Sequence, residues 1–225
     1  VSRRARASLA ACLASVVGFA VVASLAFAGG AWAGRDAHLL SRLSARGQPT
    51  GLADLVVRLG DPPAQLVLLA VAVAVAFAAG RRRWLLPALL AVGAADLTTQ
   101  VLKGFFDDPR IAPLLGWEQI GANSFPSGHM TAMVATSLAF ALLVPHRWRP
   151  ATLVVGAVLS LAVGWSVVAL RRHFPSDVAG GALVATAWFS GVLAVWLYRA
   201  EARLRARAGE RSAAAAGGSH PAPPL

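Results

Sequence analysis

Residues 151–178 read ATLVVGAVLSLAVGWSVVALRRHFPSDV: twenty positions without a charge, then two arginines, a histidine, a proline-containing turn and an aspartate. A helix of about 20 apolar residues crosses the roughly 30 Å hydrocarbon core of a bilayer. The run lacks the period-two alternation that a barrel strand of about ten residues needs. It reads as a spanning helix that delivers a polar cluster, Arg171 to Asp177, to one membrane face.

Working outward, five more apolar stretches read the same way: 7–33, 62–79, 84–102, 129–144 and 178–196. Composition agrees, with 57% hydrophobic residues, 14% charged and a mean hydropathy of +0.62, outside the soluble globular range. The expected fold is all-α, a polytopic membrane protein with six transmembrane helices. The charges between spans orient it. Arg3, Arg4, Arg6, Arg81–Arg83, Arg147, Arg149 and the arginines from Arg199 to Arg211 fall on one side, thirteen cations against Glu201 and Glu210. The other side has eight cations against seven carboxylates. Cations concentrate on the cytoplasmic side, so both termini are expected there. The net charge of +11 then follows from topology and from attraction to anionic lipid; nucleic acid is not an implied partner.

Arg3-Arg4, an apolar run and Ala31-Trp32-Ala33 imitate a secretory signal peptide. The run is about 26 residues against the usual 7–15, so an uncleaved first span is expected. The lone Cys12 lies inside it, which rules out an intramolecular disulfide and implies no metal–thiolate site.

No internal repeat or second domain is evident. Residues 1–199 read as one membrane domain with its core motifs in 96–180, and residues 200–225 as a basic tail. That tail begins as a helical extension and becomes Ala/Gly/Pro-rich and disordered from Ala213. Between the first two spans, leucines from Leu39 to Leu59 at helical spacing predict one or two amphipathic helices on the outer surface. The loop 103–125, with Pro109, Pro113, Gly116 and Trp117, is expected to be irregular and to rest among headgroups. His38, His146 and His220 are assigned to the surface.

Three separate stretches place polar groups at one depth on the exterior side. Lys103 is the single lysine beside twenty arginines, a compact ammonium suited to phosphate, and Arg110 follows it. Pro126-Ser127-Gly128-His129 opens the fourth span. Ser127 can cap the helix, Gly128 admits a ligand to the backbone, and the helix N-terminus favours an anion. A plain cap without a ligand fits Ser127 equally. His129 beside it can exchange a proton near neutral pH. In His173-Phe174-Pro175-Ser176-Asp177 the carboxylate can hold the imidazole in one tautomer and free its other nitrogen for attack, while also capping the sixth span. Asp96, the one carboxylate inside a predicted span, lies two turns from Lys103 with Gln100 between. It either continues a polar stripe to the site or bonds a neighbouring helix.

On these residues the chain resembles the type 2 phosphatidic acid phosphatase family, which shares its site with vanadium haloperoxidases. The family pattern of Lys-x6-Arg-Pro, Pro-Ser-Gly-His and Ser-Arg-x5-His-x3-Asp is matched by Lys103 and Arg110, by Pro126 to His129, and by Ser166, His173 and Asp177. The resemblance implies His173 as a nucleophile forming a phosphohistidine, Asp177 as its orienter and His129 as the general acid. It implies that Lys103, Arg110, Ser127 and Gly128 bind the phosphoryl oxygens, with neither metal nor cofactor. Two positions depart from the pattern: Ile111 follows Arg110, and Val167 stands where the third motif has arginine. If the fifth span stays helical, Arg171 lies one turn beyond Val167 and about 40° round, placed to substitute for it; an interfacial anchor is its other reading.

The implied function is a lipid phosphatase of the cell membrane acting at its extracytoplasmic face. Its partners would be membrane lipid and a lipid phosphate of isoprenyl diphosphate, phosphatidylglycerophosphate or phosphatidate type. A catalytically silent lipid-phosphate binder or transporter, supported by Val167, and a lipid phosphotransferase are the alternatives. The oligomeric state is not legible.

Overall fold

The computed structural model describes residues 2–27, 31–44, 51–106 and 122–217, and among these the regular structure is entirely helical. The α-helices are α1 (Arg3–Phe27), α2 (Ala31–Leu43), α3 (Gly51–Val57), α4 (Pro62–Ala78), α5 (Leu85–Phe105), α6 (Gly128–Leu143), α7 (Arg149–Ala169) and α8 (Pro175–Gly217). Four of them, α1, α5, α7 and α8, lie in segments long and apolar enough to cross a membrane. The segment from α3 through α4, bent by 56°, supplies a fifth span if taken as one.

The packing is that of helices in lipid. Buried positions are small: Ala72 and Ala76 of α4, Ala88, Ala91 and Ala95 of α5, Ala135 and Ala139 of α6. Large side chains such as Leu66, Leu97, Val101, Val154 and Leu161 face outward. Small residues let helix backbones approach closely where lipid tails remove the hydrophobic drive between helices. At 16 residues α6 is about 24 Å long, short for a span. It packs against α4, α5, α7 and α8, which surround it. α1 runs along α8, and Ser2 N donates to Glu201 Oε2 at 2.9 Å.

Two boundaries differ from the sequence reading, and the expected amphipathic helices take a definite place. The stretch expected as one span over 7–33 is two helices, α1 ending at Phe27 and α2 starting at Ala31; the sequence between them, Ala28-Gly29-Gly30, holds two glycines. The amphipathic segment forms α2, α3 and a 3₁₀ turn, Arg58–Gly60. It packs on the bundle through Ala37, Leu40 and Val57, which bury against Val167, Val168 and Phe174. The tail is helical as far as Gly217, beyond the expected change at Ala213. Residues 218–225, with His220, and most of the loop 103–125, with Arg110, lie outside the described residues. His38 and His146 are exposed as assigned.

Candidate active site

Four helix ends and one turn meet at one end of the bundle. α8 begins with Pro175 at its first position, where a missing N–H costs nothing. Asp177, in that first turn, reaches back: its Oδ2 accepts from the Phe174 N–H at 3.0 Å and from His173 Nδ1 at 3.2 Å. The first contact is half of a capping box. In the second, an ionised carboxylate can only accept, so Nδ1 is the donor. The side chains are 9% and 0% exposed, so the pair is shielded from water and held in one geometry. Asp36 of α2 accepts from Ser176 N and Oγ, securing the same turn from outside.

The start of α6 is tied to this turn. Ser127 N donates to Asp177 O at 3.0 Å, and Ser127 Oγ caps α6 by accepting from Met130 N at 3.4 Å. Below it, Thr131 Oγ1 bonds Ser127 O at 3.0 Å and Gly181 O at 3.2 Å, and accepts from Thr99 Oγ1 of α5 at 3.0 Å. A Cβ on Gly181 would clash with Ser127 O, so α8 can approach α6 this closely only through glycine. Lys103 enters from α5: a Cβ on Gly128 would lie 3.6 Å from its Nζ, placing the ammonium beside the N-terminus of α6. His129 faces His173 with ring centroids 6.2 Å apart and planes at 68°.

Six of the eight residues singled out from the sequence thus come together: Lys103, Ser127, Gly128, His129, His173 and Asp177. Arg110 lies outside the described residues. Arg171 is near the cluster in sequence, but the helical construction that placed it does not hold. α7 ends at Ala169, Arg171 takes the left-handed conformation at φ 57°, and the chain turns. Arg171 N donates to Val168 O and Arg172 N to Val167 O, both at 2.9 Å, which is a Schellman turn with arginine where glycine is usual. That conformation costs about 1–2 kcal/mol for a residue with a Cβ. The half-buried Arg171 therefore leaves α7 in a direction set by the turn. The exposed Arg172 lies 3.8 Å from Asp54 of α3. Val167 is buried in the apolar cluster beneath the turn, where its carbonyl also accepts from His173 N at 3.3 Å.

Asp61 was missed. Its Oδ1 lies 3.1 Å from His129 Nε2, close enough to bind and orient the imidazole. The neighbouring Gly60 permits this contact: a Cβ there would sit 2.8 Å from His129 Cβ. An aspartate before Pro62-Pro63 signals a helix start, but nothing local points to a partner 68 positions away. Thr99 and Thr131 could have been found, since each is one turn from a motif residue, Lys103 and Ser127.

Comparisons with known proteins agree with the fold and the motifs. Two curated relatives, both lipid A 1-phosphatases, match over 72 residues: one from Rhizobium johnstonii at 43% identity and one from Rhizobium etli at 42%. The match covers 32% of this chain but only 27% and 28% of those proteins. The crystal structure of a transmembrane PAP2 type phosphatidylglycerolphosphate phosphatase from Bacillus subtilis superposes with a TM-score of 0.68 at 24% identity. It covers 80% of this chain and 93% of that one, which establishes the shared fold. The model of the PAP2 superfamily matches residues 84–201, from the start of α5 through every described motif residue and beyond the first turns of α8, and on that match the chain belongs to the PAP2 superfamily.

Proposed function

We propose that the protein is an integral membrane lipid phosphatase that hydrolyses a lipid phosphomonoester or diphosphate through a phosphohistidine on His173. The observation that carries this is the buried His173–Asp177 pair, with Nδ1 bound to the carboxylate and the His129 ring 6.2 Å away between centroids. His173 Nε2 attacks phosphorus as the bond to the leaving oxygen breaks. His129 gives that oxygen its proton. Water, losing a proton to His129, then cleaves the P–N bond and releases inorganic phosphate. Charge spread over the equatorial oxygens is offset by the Lys103 ammonium and the N–H groups opening α6, so no step is assigned to a metal ion or cofactor.

Arg110 and Arg171 complete the cationic set in this reading, Arg171 from the turn after α7 in place of the arginine absent at Val167. Asp61 orients His129 and supports positive charge on it. The chain crosses the cell membrane six times, with α4 and α6 as the two shorter spans and both termini cytoplasmic. That orientation places the site at the extracytoplasmic face and follows from the arginines at the opposite end. Residues 1–199 form the phosphatase unit, and the tail past them lies in the cytoplasm. Relatives named for lipid A and phosphatidylglycerolphosphate favour a glycolipid or glycerolipid phosphate from the membrane itself. A silent lipid-phosphate binder is the second reading, favoured by Val167; it leaves the His173–Asp177–Ser127 arrangement without a purpose.

Phosphate release by purified protein in detergent and EDTA, from a panel of lipid phosphates, decides between them. The phosphatase reading expects EDTA-resistant release that His173→Ala abolishes. A folded wild type that binds these lipids and releases no phosphate from any would establish the binder.

A further inference from the structure

The end of the bundle away from the site gathers arginines that face one another. Arg81 Nε, from the turn after α4, and Arg149 Nη2, from the start of α7, both donate to Leu142 O, at 3.1 and 3.4 Å. Two guanidiniums thus share one carbonyl. The like charge of Arg83 bears on Arg81, and that of Arg4, from α1, bears on Arg149. Among the described residues no carboxylate pairs with any of the four. Glu201, on the same side, is taken by Ser2 N. Burial, then the charges of Arg149 and Arg83, lower the Arg81 pKa from its usual value.

Acceptors are short here as well as negative charge. Arg149 Nε and Trp84 Nε1 are buried donors without a partner among the described residues. α5 and α7, of 21 residues each, both begin at this end with no side-chain cap and no acidic residue in the first turn. Their starts add partial positive charge. Unpaired buried donors and crowded like charges both cost stability. A phosphate brings what is missing, negative charge and several acceptor oxygens in one group.

The depth of the cluster selects the bearer of that phosphate. The Arg81 and Arg83 guanidiniums lie 5.8 and 5.6 Å from the Trp84 ring, and Arg147 lies 5.9 Å from the exposed Trp148. Tryptophan and arginine together at the ends of apolar helices mark the headgroup layer. In the first turns of α5 and α7, Leu86 and Leu153 are exposed, an apolar surface for acyl chains. We propose that Arg4, Arg81, Arg83 and Arg149 form a site for the phosphate of an anionic glycerophospholipid, in the leaflet opposite the active site. Basic pockets between helix ends hold such headgroups. The lipid ties the ends of α1, α5, α6 and α7 together, and its binding does not depend on the phosphatase reading.

The test titrates purified protein in neutral detergent with phosphatidylglycerol, a phosphodiester with no phosphomonoester to hydrolyse. Zwitterionic phosphatidylcholine and the deacylated headgroup, glycerophosphoglycerol, are titrated in parallel. Native mass spectrometry counts bound lipid, and thermal unfolding reads its effect. Phosphatidylglycerol should bind about tenfold or more tightly than phosphatidylcholine and raise the melting temperature by about 5 °C near saturation, with the headgroup alone far weaker. Arg81→Gln combined with Arg149→Gln should weaken that binding about tenfold or more and cancel the rise. Arg83→Gln, at an exposed position, should weaken it about threefold and supplies the test if the double variant fails to fold. Lys103→Gln, at the active-site end, should leave it unchanged. Equal binding of the two lipids, full binding retained in the arginine variants, or binding lost in Lys103→Gln overturns the site. A headgroup as effective as the whole lipid overturns the lipid assignment.

Discussion

The two ends of the bundle use charge in opposite ways. At the site end, carboxylates are turned onto neighbouring polar groups: Asp177 onto His173, Asp36 onto Ser176, Asp61 onto His129. At the opposite end the cations far outnumber the carboxylates, and they contact aromatic rings and the backbone. Arg81 Nε and Arg149 Nη2 both donate to Leu142 O, at 3.1 and 3.4 Å, satisfying a carbonyl that the last turn of α6 leaves free. The first end holds individual side chains through specific hydrogen bonds. The second neutralises helix ends, a task that several arginines can share. Substitutions should therefore be severe at one end and mild at the other.

The largest effect is expected at His173. His173→Ala should lower phosphate release about 10⁴-fold or more, roughly 5.5 kcal/mol of transition-state stabilisation, and should also lower the melting temperature, because Asp177 loses its buried partner. Parallel activity and thermal-unfolding measurements check both parts; retained turnover would break the contrast.

Second is Val167→Arg, which restores the family's arginine in sequence. In the structure that side chain would enter the cluster of Ala37, Leu40, Val57 and Phe174, burying a charge with no partner there. A loss of about 3 kcal/mol or more in stability is expected, with no gain in activity. Higher activity at normal stability would show that the turn after α7 can open.

This pair of positions shows how much of the site was legible. Lys103, Ser127, His129, His173 and Asp177 could be read because each is a polar residue at the end of an apolar run, and six such runs left few places for polar groups to meet. The helical path to Arg171 fails because α7 stops at Ala169, and no glycine announces the Schellman turn that follows. α2 was absorbed into the first span because Ala31-Trp32-Ala33 is apolar, while its helix packs by Ala37 and Leu40 on residues far along the chain. Asp61 announced a helix start but not its partner, which is on α6.

Asp61 gives the third and smaller effect. Asp61→Asn keeps a hydrogen-bonding group beside His129 but loses the charge, and a drop of about tenfold in kcat is expected, with KM for the lipid changed less. A KM effect alone would make Asp61 a binding residue and remove it from the support of His129.

The smallest effect belongs to the other end. Arg81→Ala leaves Leu142 O to Arg149 and should cost about 1 kcal/mol or less in stability with activity within about twofold of wild type. A tenfold loss of activity would mean that the two ends are coupled and the contrast is false.

The phosphohistidine on His173 can be trapped directly. Protein mixed with labelled lipid phosphate in EDTA, quenched in alkali within milliseconds and mapped by mass spectrometry should show phosphate on His173, in wild type and not in His173→Ala. Phosphate on another side chain, or full-rate release by His173→Ala, would contradict it.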